Sequence, residues 1–223
     1  MHVRSGAGAY NFLNLPTADE YRRQIMNKAV HIFTIIFSVL LVANFAFAEA
    51  EKWEIDKAHS NIYFDVRHTY ATVRGQFNEF SGVLQFDPNN LEKSRVTFEV
   101  DTRSINTGIP ERDNHLRSDD FFAVKKFPTM TFQSTGVKPK EGNQYTLEGN
   151  LTIKGKTGQI AVPLTYYGTR ENPLKKGQRV AGFEARITIN RLDYQVGPGK
   201  YAEMGVIGEK VEILIALEAL KDK

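Results

Sequence analysis

The chain has 223 residues, 29 Lys and Arg against 26 Asp and Glu, a formal net charge of +3 and no cysteine. The absent thiol excludes disulfides, thiolate zinc sites, cysteine nucleophiles and a lipoprotein anchor cysteine together. The small net charge gives no case for nucleic acid or an anionic membrane as a partner.

Residues 26–48 read as a secretory signal. Met26-Asn27-Lys28 opens a short basic segment, Val30 to Val42 is almost wholly apolar, and Ala46-Phe47-Ala48 supplies the small residues that signal peptidase needs, so cleavage is expected after Ala48. Ala29 to Ala48 also matches the roughly 20 apolar residues that span a bilayer. Asn44 and the A-x-A site, however, have no use in a spanning helix. Residues 1–25 stand in front of a complete signal, with no periodic pattern, and read as an unstructured stretch from a start codon assigned too far upstream. The chain is therefore expected to be exported to the periplasm. Without residues 1–48, Lys plus Arg falls from 29 to 25 and Asp plus Glu from 26 to 24, leaving 49–223 as one domain large enough for a real core.

From Trp53 onward, alternation with period two points to strands buried on one face. Ile62, Phe64 and Val66 alternate within Ser60 to His68. A second run, Val73 to Asp87, carries Phe77, Phe80, Leu84 and Phe86, and its phase slips between Phe77 and Phe80, which predicts a bulge or sharp bend there. Asp87-Pro88-Asn89-Asn90 is a turn by its chemistry. Val96, Phe98 and Val100 follow, then a long insertion between Ser104 and Pro128. Met130, Phe132 and Ser134 resume the pattern, with a polar turn at 138–143. Leu147, Gly149, Leu151 and Ile153 lead to a turn at Lys154-Gly155-Lys156. Ile160, Val162, Leu164 and Tyr166, then Phe183, Ala185, Ile187 and Ile189, then Val211, Ile213, Ile215 and Leu217 complete the set. About eight strands in hairpin order predict a mostly β fold, an antiparallel barrel or a sandwich, and bent, glycine-broken strands favour the closed barrel.

The insertion concentrates Arg112, Asp113 and His115 near Phe121, Phe122 and Phe127. Arg112, Asp113 and His115 suit acid/base chemistry, as in a hydrolase or isomerase using Asp113 and His115. The plainer alternative is that Asp113 or Asn114 caps a short helix running to Phe122. No nucleophile motif, phosphate-cradling loop or dinucleotide fingerprint is present, so no cofactor is implied. His59, His68 and His115 show no metal-ligand spacing, and His68 extends the inward face of its strand as a rim residue. An aromatic interior roofed by Phe121, Phe122 and Phe127 beside polar groups suits an amphipathic ligand. Burial would hold its tail at about 0.8 kcal/mol per methylene, and a few polar groups would fix its head. A barrel filled by its own side chains, acting as an interaction module and able to dimerise, is the third reading.

The motifs resemble the YceI-like family of exported lipid-binding proteins. They are W-x-I-D-x-x-H-S at 53–60, F-x-V-x-H at 64–68, G-x-F-x-x-F-x-G at 75–82, S-I-x-T at 104–107 and R-D-x-H-L at 112–116. D-F-F at 120–122, F-P-x-x-T-F-x-S at 127–134, G-x-L-T-I-K-G-x-T at 149–157 and N-R-x-D-Y at 190–194 complete the series. Ala123 and the Lys156 to Gln159 turn depart from the family pattern. The resemblance implies an extended, eight-stranded, lipocalin-like barrel with a short helical insertion, around a tunnel for a polyisoprenoid, an isoprenoid quinone, a prenyl phosphate, or a fatty acid or amide. It also allows transient contact with a membrane or an acceptor protein. Carried over by motif and parity, Phe64, Val66, Phe77, Phe80, Phe98, Phe132, Leu151, Phe183 and Ile187 are candidates for the tail. Phe121 and Phe122 are candidates for the roof, and His68, Arg112, Asp113 and His115 for the polar end.

Overall fold

The structure, a computed structural model, describes residues 17–19, 21–23, 25–27 and 50–222. The chain divides into two compact units, residues 1–48 and 49–223. In the first, residues 18, 19, 21–23 and 25–27 are helical, and the Tyr21 amide donates to the Thr17 carbonyl at 3.0 Å. At these positions the expected absence of structure gives way to helix, which needs only local hydrogen bonds and no apolar periodicity. Apart from Met26 and Asn27, the expected export signal and its cleavage point lie outside the described residues.

The second unit is built on strands β1 (Lys52–Ile55), β2 (Asn61–His68), β3 (Ala71–Phe77), β4 (Phe80–Gln85), β5 (Arg95–Asp101) and β6 (Ile105–Asn106). They continue as β7 (Thr129–Pro139), β8 (Gln144–Ile153), β9 (Lys156–Glu171), β10 (Gln178–Asn190) and β11 (Ile207–Asp222). Two short helices, α1 (Pro110–Arg117) and α2 (Lys200–Glu203), interrupt them. All belong to one antiparallel sheet in the order β1-β4-β5-β7-β8-β9-β10-β11-β2-β3-β6, and the pairing of β1 with β11 closes it.

Eleven segments make eight staves because three staves are interrupted. β1 and β2 both run along β11, separated by a turn at Lys57–His59. β3 and β4 are one bent stave: the phase slip between Phe77 and Phe80 is a break at Asn78 and Glu79, after which the chain pairs with β1 and β5 instead of β2 and β6. β5 and β6 continue each other across Thr102–Ser104. The fold is thus the closed eight-stranded antiparallel barrel with a short helical insertion that the sequence predicts. The β8–β9 turn consists of Lys154 and Gly155, both at positive φ (49° and 72°), the backbone of a two-residue hairpin loop whose twist matches its strands.

One end of the barrel is sealed. Phe86, 2% exposed, has ring centroids at 5.1 Å from Tyr145, 5.1 Å from Tyr166 and 5.5 Å from Phe183. The Trp53 indole N–H donates to the Phe86 carbonyl at 3.3 Å. These aromatics form a floor, and each edge-to-face pair adds about 0.5–1.5 kcal/mol beyond area burial. The seam beside it is clasped by Glu51, whose carboxylate meets Lys221 at 2.8 Å and Arg179 at 3.0 Å. The Arg179 guanidinium also lies over the Trp53 ring at 5.4 Å.

Phe86→Ala is expected to lower unfolding free energy by about 3–5 kcal/mol, measured by denaturant titration, because the floor rings cannot collapse into the space. The Lys221 hydrogen bond holds the Glu51 carboxyl below its ordinary value of 4.5. A depressed folded-state pKa means stability that is present above the ordinary value and lost as pH falls through the folded one. Glu51→Gln should therefore flatten the stability–pH curve below 4.5, while costing under about 1 kcal/mol near neutral pH because the pair is partly exposed.

Candidate ligand-binding site

Above the floor the barrel encloses a cavity of about 340 Å³. Its wall is almost wholly apolar, as the alternation requires: Phe64 pairs with Ile213, Ile187 with Ile213 on the other side, and Phe98 with Phe132, which in turn pairs with Leu151. Phe64, Val66, Phe77, Phe98, Phe132, Leu151, Phe183 and Ile187 all border it. Phe80 does not. It comes directly after the bend, is 6% exposed, and packs in the main core instead of facing the open space.

The rings leave room because glycines let them lie against the wall. Phe64 pairs across the sheet with Gly75, where an added Cβ would collide with the Phe64 ring and come within 2.8 Å of Thr107 Cγ2. A Cβ at Gly149 would lie 2.6 Å from Phe132 Cζ and 2.5 Å from the Gln133 carbonyl oxygen. Phe98 pairs with Gly82, where a Cβ would sit 3.2 Å from its ring. Each aromatic covers the backbone of a neighbouring strand, a packing that only a residue without Cβ allows.

The other end is roofed by the insertion. α1 begins with Pro110 at its first position, where proline's missing N–H and fixed φ fit. Asp113 therefore falls inside the helix and does not cap it, contrary to expectation. Its carboxylate reaches back to Thr107, accepting from the backbone N–H at 2.9 Å and from the hydroxyl at 2.5 Å, and Asp113 is 6% exposed. Arg112 donates from Nε to Thr107 Oγ1 at 2.7 Å and from Nη2 to the Thr107 carbonyl at 2.8 Å. Arg117 donates to the carbonyls of Arg103 and Ile105 at 2.8 and 2.7 Å. These bonds staple α1 to the wall. Of the polar candidates, His68, Arg112 and His115 border the cavity and Asp113 does not.

His115 meets Asp120 at 3.5 Å, not Asp113, and its ring stands edge-on to Phe121 at 5.0 Å. Phe121 stacks on Tyr201 of α2 at 6.4 Å, and Phe122 meets Phe77 edge-on at 5.8 Å, so Phe121 and Phe122 form the underside of the roof. Phe127, expected beside them, instead packs half-buried over the β8–β9 turn, where a Cβ at Gly155 would lie 2.9 Å from its ring. Lys154 binds two roof segments at once: its ammonium donates to the carbonyls of Asp119 at 3.1 Å and Gln195 at 2.9 Å. Burial lowers its pKa, opposed by the charges of Asp119 and Asp120.

Sequence reasoning overlooked Arg191, Tyr194 and Val196, which border the cavity from the segment after β10. Arg191 is 4% exposed and donates from Nε to the Gly208 carbonyl at 2.9 Å, from Nη1 to Val196 at 2.8 Å and from Nη2 to Ile207 at 3.2 Å. It pins the bulge where the β2–β11 register shifts between Ile207 and Val211. Burial pushes its pKa down from the ordinary arginine value. An arginine directly after the apolar alternation of β10 was the available signal.

Among the described residues, the one group of His and carboxylate ligand atoms close enough for a metal ion is Asp56, His59 and Glu218. It does not border the cavity, and Asp56 Oδ2 already pairs with His59 Nδ1 at 2.8 Å, an interaction that lowers the Asp56 pKa and raises that of His59.

Residues 53–219 match the model of the YceI-like domain. Protein YceI of Salmonella newport is 34% identical over 199 residues, covering 89% of this chain and 100% of its own. The crystal structure of BcnA from Burkholderia cenocepacia superposes with a TM-score of 0.66 at 26% identity, over 74% of this chain and 99% of the other. A polyisoprenoid binding domain from Saccharophagus degradans, implicated in plant cell wall breakdown, does so with a TM-score of 0.56 at 18% identity, over 75% and 97%, a likeness of fold.

Gly75→Ala is expected to destabilise the barrel by about 1–3 kcal/mol through the clash with Phe64. Phe64→Leu in the same protein should recover part of that loss in a double-mutant cycle of unfolding free energies. Purely additive losses would refute the Gly75–Phe64 pairing.

Proposed function

The chain belongs to the YceI-like family, and from that premise we propose that it is an exported binding protein holding one long-chain amphipathic lipid in its barrel. The observation that carries this reading is the cavity: about 340 Å³ of apolar space between an aromatic floor and a roof with polar groups at its edge. Apolar tails enter such space with about 0.8 kcal/mol of stabilisation per buried methylene, and the rim groups fix the head. No bond is made or broken in this mechanism. The commitment of Asp113 to Thr107 and the facing of His115 toward Asp120 support binding over acid/base catalysis by that pair.

A polyisoprenoid, isoprenoid quinone or fatty acyl chain fits the wall. The Saccharophagus degradans domain is described as polyisoprenoid binding, and its fold is like this one. Export to the periplasm through the signal at 26–48 would place the protein where such lipids pass between membranes, for carriage, storage or sequestration. Organic extraction of the purified protein followed by mass spectrometry should recover one long-chain lipid per chain. Leu151→Trp, which places an indole in the cavity, should lose that lipid while keeping the far-ultraviolet dichroism of the barrel. An extract without lipid from the unaltered protein, or full occupancy in Leu151→Trp, would overturn this reading.

A further inference from the structure

The nitrogen-bearing polar side chains that border the cavity are all bases, and Tyr63, Thr131 and Tyr194 are the other polar residues there. Arg112, Arg191, His68 and His115 are its ionisable nitrogen bases, and Tyr194 adds a phenol with the oxygen beside Gly158. Among the described residues, no aspartate or glutamate borders it. Asp113, the carboxylate beside Arg112 in the sequence, accepts both Thr107 bonds at Oδ1 and does not border the cavity.

Arg191 is the sharpest case. A guanidinium carries five N–H donors, and the three bonds to the carbonyls of Gly208, Val196 and Ile207 leave two over. Carbonyl dipoles solvate the cation but do not neutralise it, and no described carboxylate lies within ion-pair distance of Arg191 or of Arg112. The charge of exposed Glu209 acts on Arg191, but burial outweighs it, so the cation is only partly compensated, which is costly in an apolar surrounding. That cost is offset when an anion enters the same space. Arg191 also sits against the roof: a Cβ at Gly197 would lie 2.6 Å from the Phe121 ring and 2.9 Å from Arg191 Nη1. The chain of a ligand would run from there along the apolar wall toward the Phe86 floor.

Resting on the lipid-binding reading, we propose that the ligand carries an oxyanion head group, a carboxylate or a phosphate, seated beside Arg191 under the roof. Asp119 and Asp120 do not cancel this bias, because their side chains are 73% and 63% exposed and screened by water and salt.

The test uses four probes of equal chain length, hexadecanoate, hexadecyl phosphate, hexadecanol and hexadecylamine, titrated by calorimetry into protein stripped of endogenous lipid on hydrophobic resin. At least one acid should bind about tenfold or more tighter than the alcohol, the worth of a charge-assisted hydrogen bond, and the amine should bind weakest. Whichever acid leads identifies the head group. Arg191→Met should bring the ratio of acid to alcohol affinity toward one, and Arg191→Lys should keep most of it. A ratio is informative even if a variant is partly misfolded, because lost protein scales both affinities alike. If Arg191→Met does not fold, Tyr194→Phe should still shrink the ratio. Equal binding of acid, alcohol and amine overturns the oxyanion proposal and leaves the carrier reading standing. Binding of none of the four overturns both.

Discussion

The openness of this barrel depends on the contact between phenylalanine rings and glycine backbone. An eight-stranded barrel is narrow enough for ordinary side chains to fill it. Here three of the inward phenylalanines, Phe64, Phe98 and Phe132, lie over Gly75, Gly82 and Gly149 on neighbouring strands. The rings become part of the wall, and the space along the axis stays free. At roughly 24 cal/mol per Å³, leaving 340 Å³ of apolar volume unfilled costs on the order of 8 kcal/mol. Total stabilities of domains are only about 5–15 kcal/mol, so a wall arranged this way is better satisfied by an occupant than by vacuum.

The two ends of the cavity obey different physics. At the floor, Phe86 and its ring partners are packed and nearly dry, so that end is fixed by shape. At the roof, the short elements are held by side chains donating to backbone carbonyls: Arg112 to Thr107, Arg117 to Arg103 and Ile105, Lys154 to Asp119 and Gln195, and Arg191 to three residues around the bulge. Loops bound in this way keep their carbonyls satisfied without strand pairing. The same arrangement places cationic groups beside the apolar space while the carboxylates stay outside it.

Much of the fold was legible because strand parity is a local property. Once Phe64, Phe98, Phe132, Leu151 and Ile187 are assigned to one face, hydrogen bonding carries that face around the whole ring, and all five border the cavity. What could not be read required tertiary knowledge. The phase slip after Phe77 marked a bend, but nothing local says that the stave changes partners there and takes Phe80 away from the cavity. Asp113 looked like a cap or a base because its true partner, Thr107, lies outside the helix, and Pro110 decides where that helix begins. Arg191 carries no periodic signature, since its importance comes from burial against a bulge sixteen or seventeen residues further on.

The division between wall and roof also bears on selectivity. An apolar surface distinguishes one hydrocarbon chain from another weakly, by about 1–3 kcal/mol per methylene misfit. A buried polar group that is left unpaired by the wrong ligand discriminates far more strongly, because its desolvation is then uncompensated. On the proposed reading the wall would take tails of many kinds, whereas Arg191, Arg112, His68 and His115, which border the same space, would meet the head group. Discrimination between ligands would then reside in those few nitrogen donors. The aromatic and aliphatic lining would set how much of a chain can be buried, and so affinity more than identity.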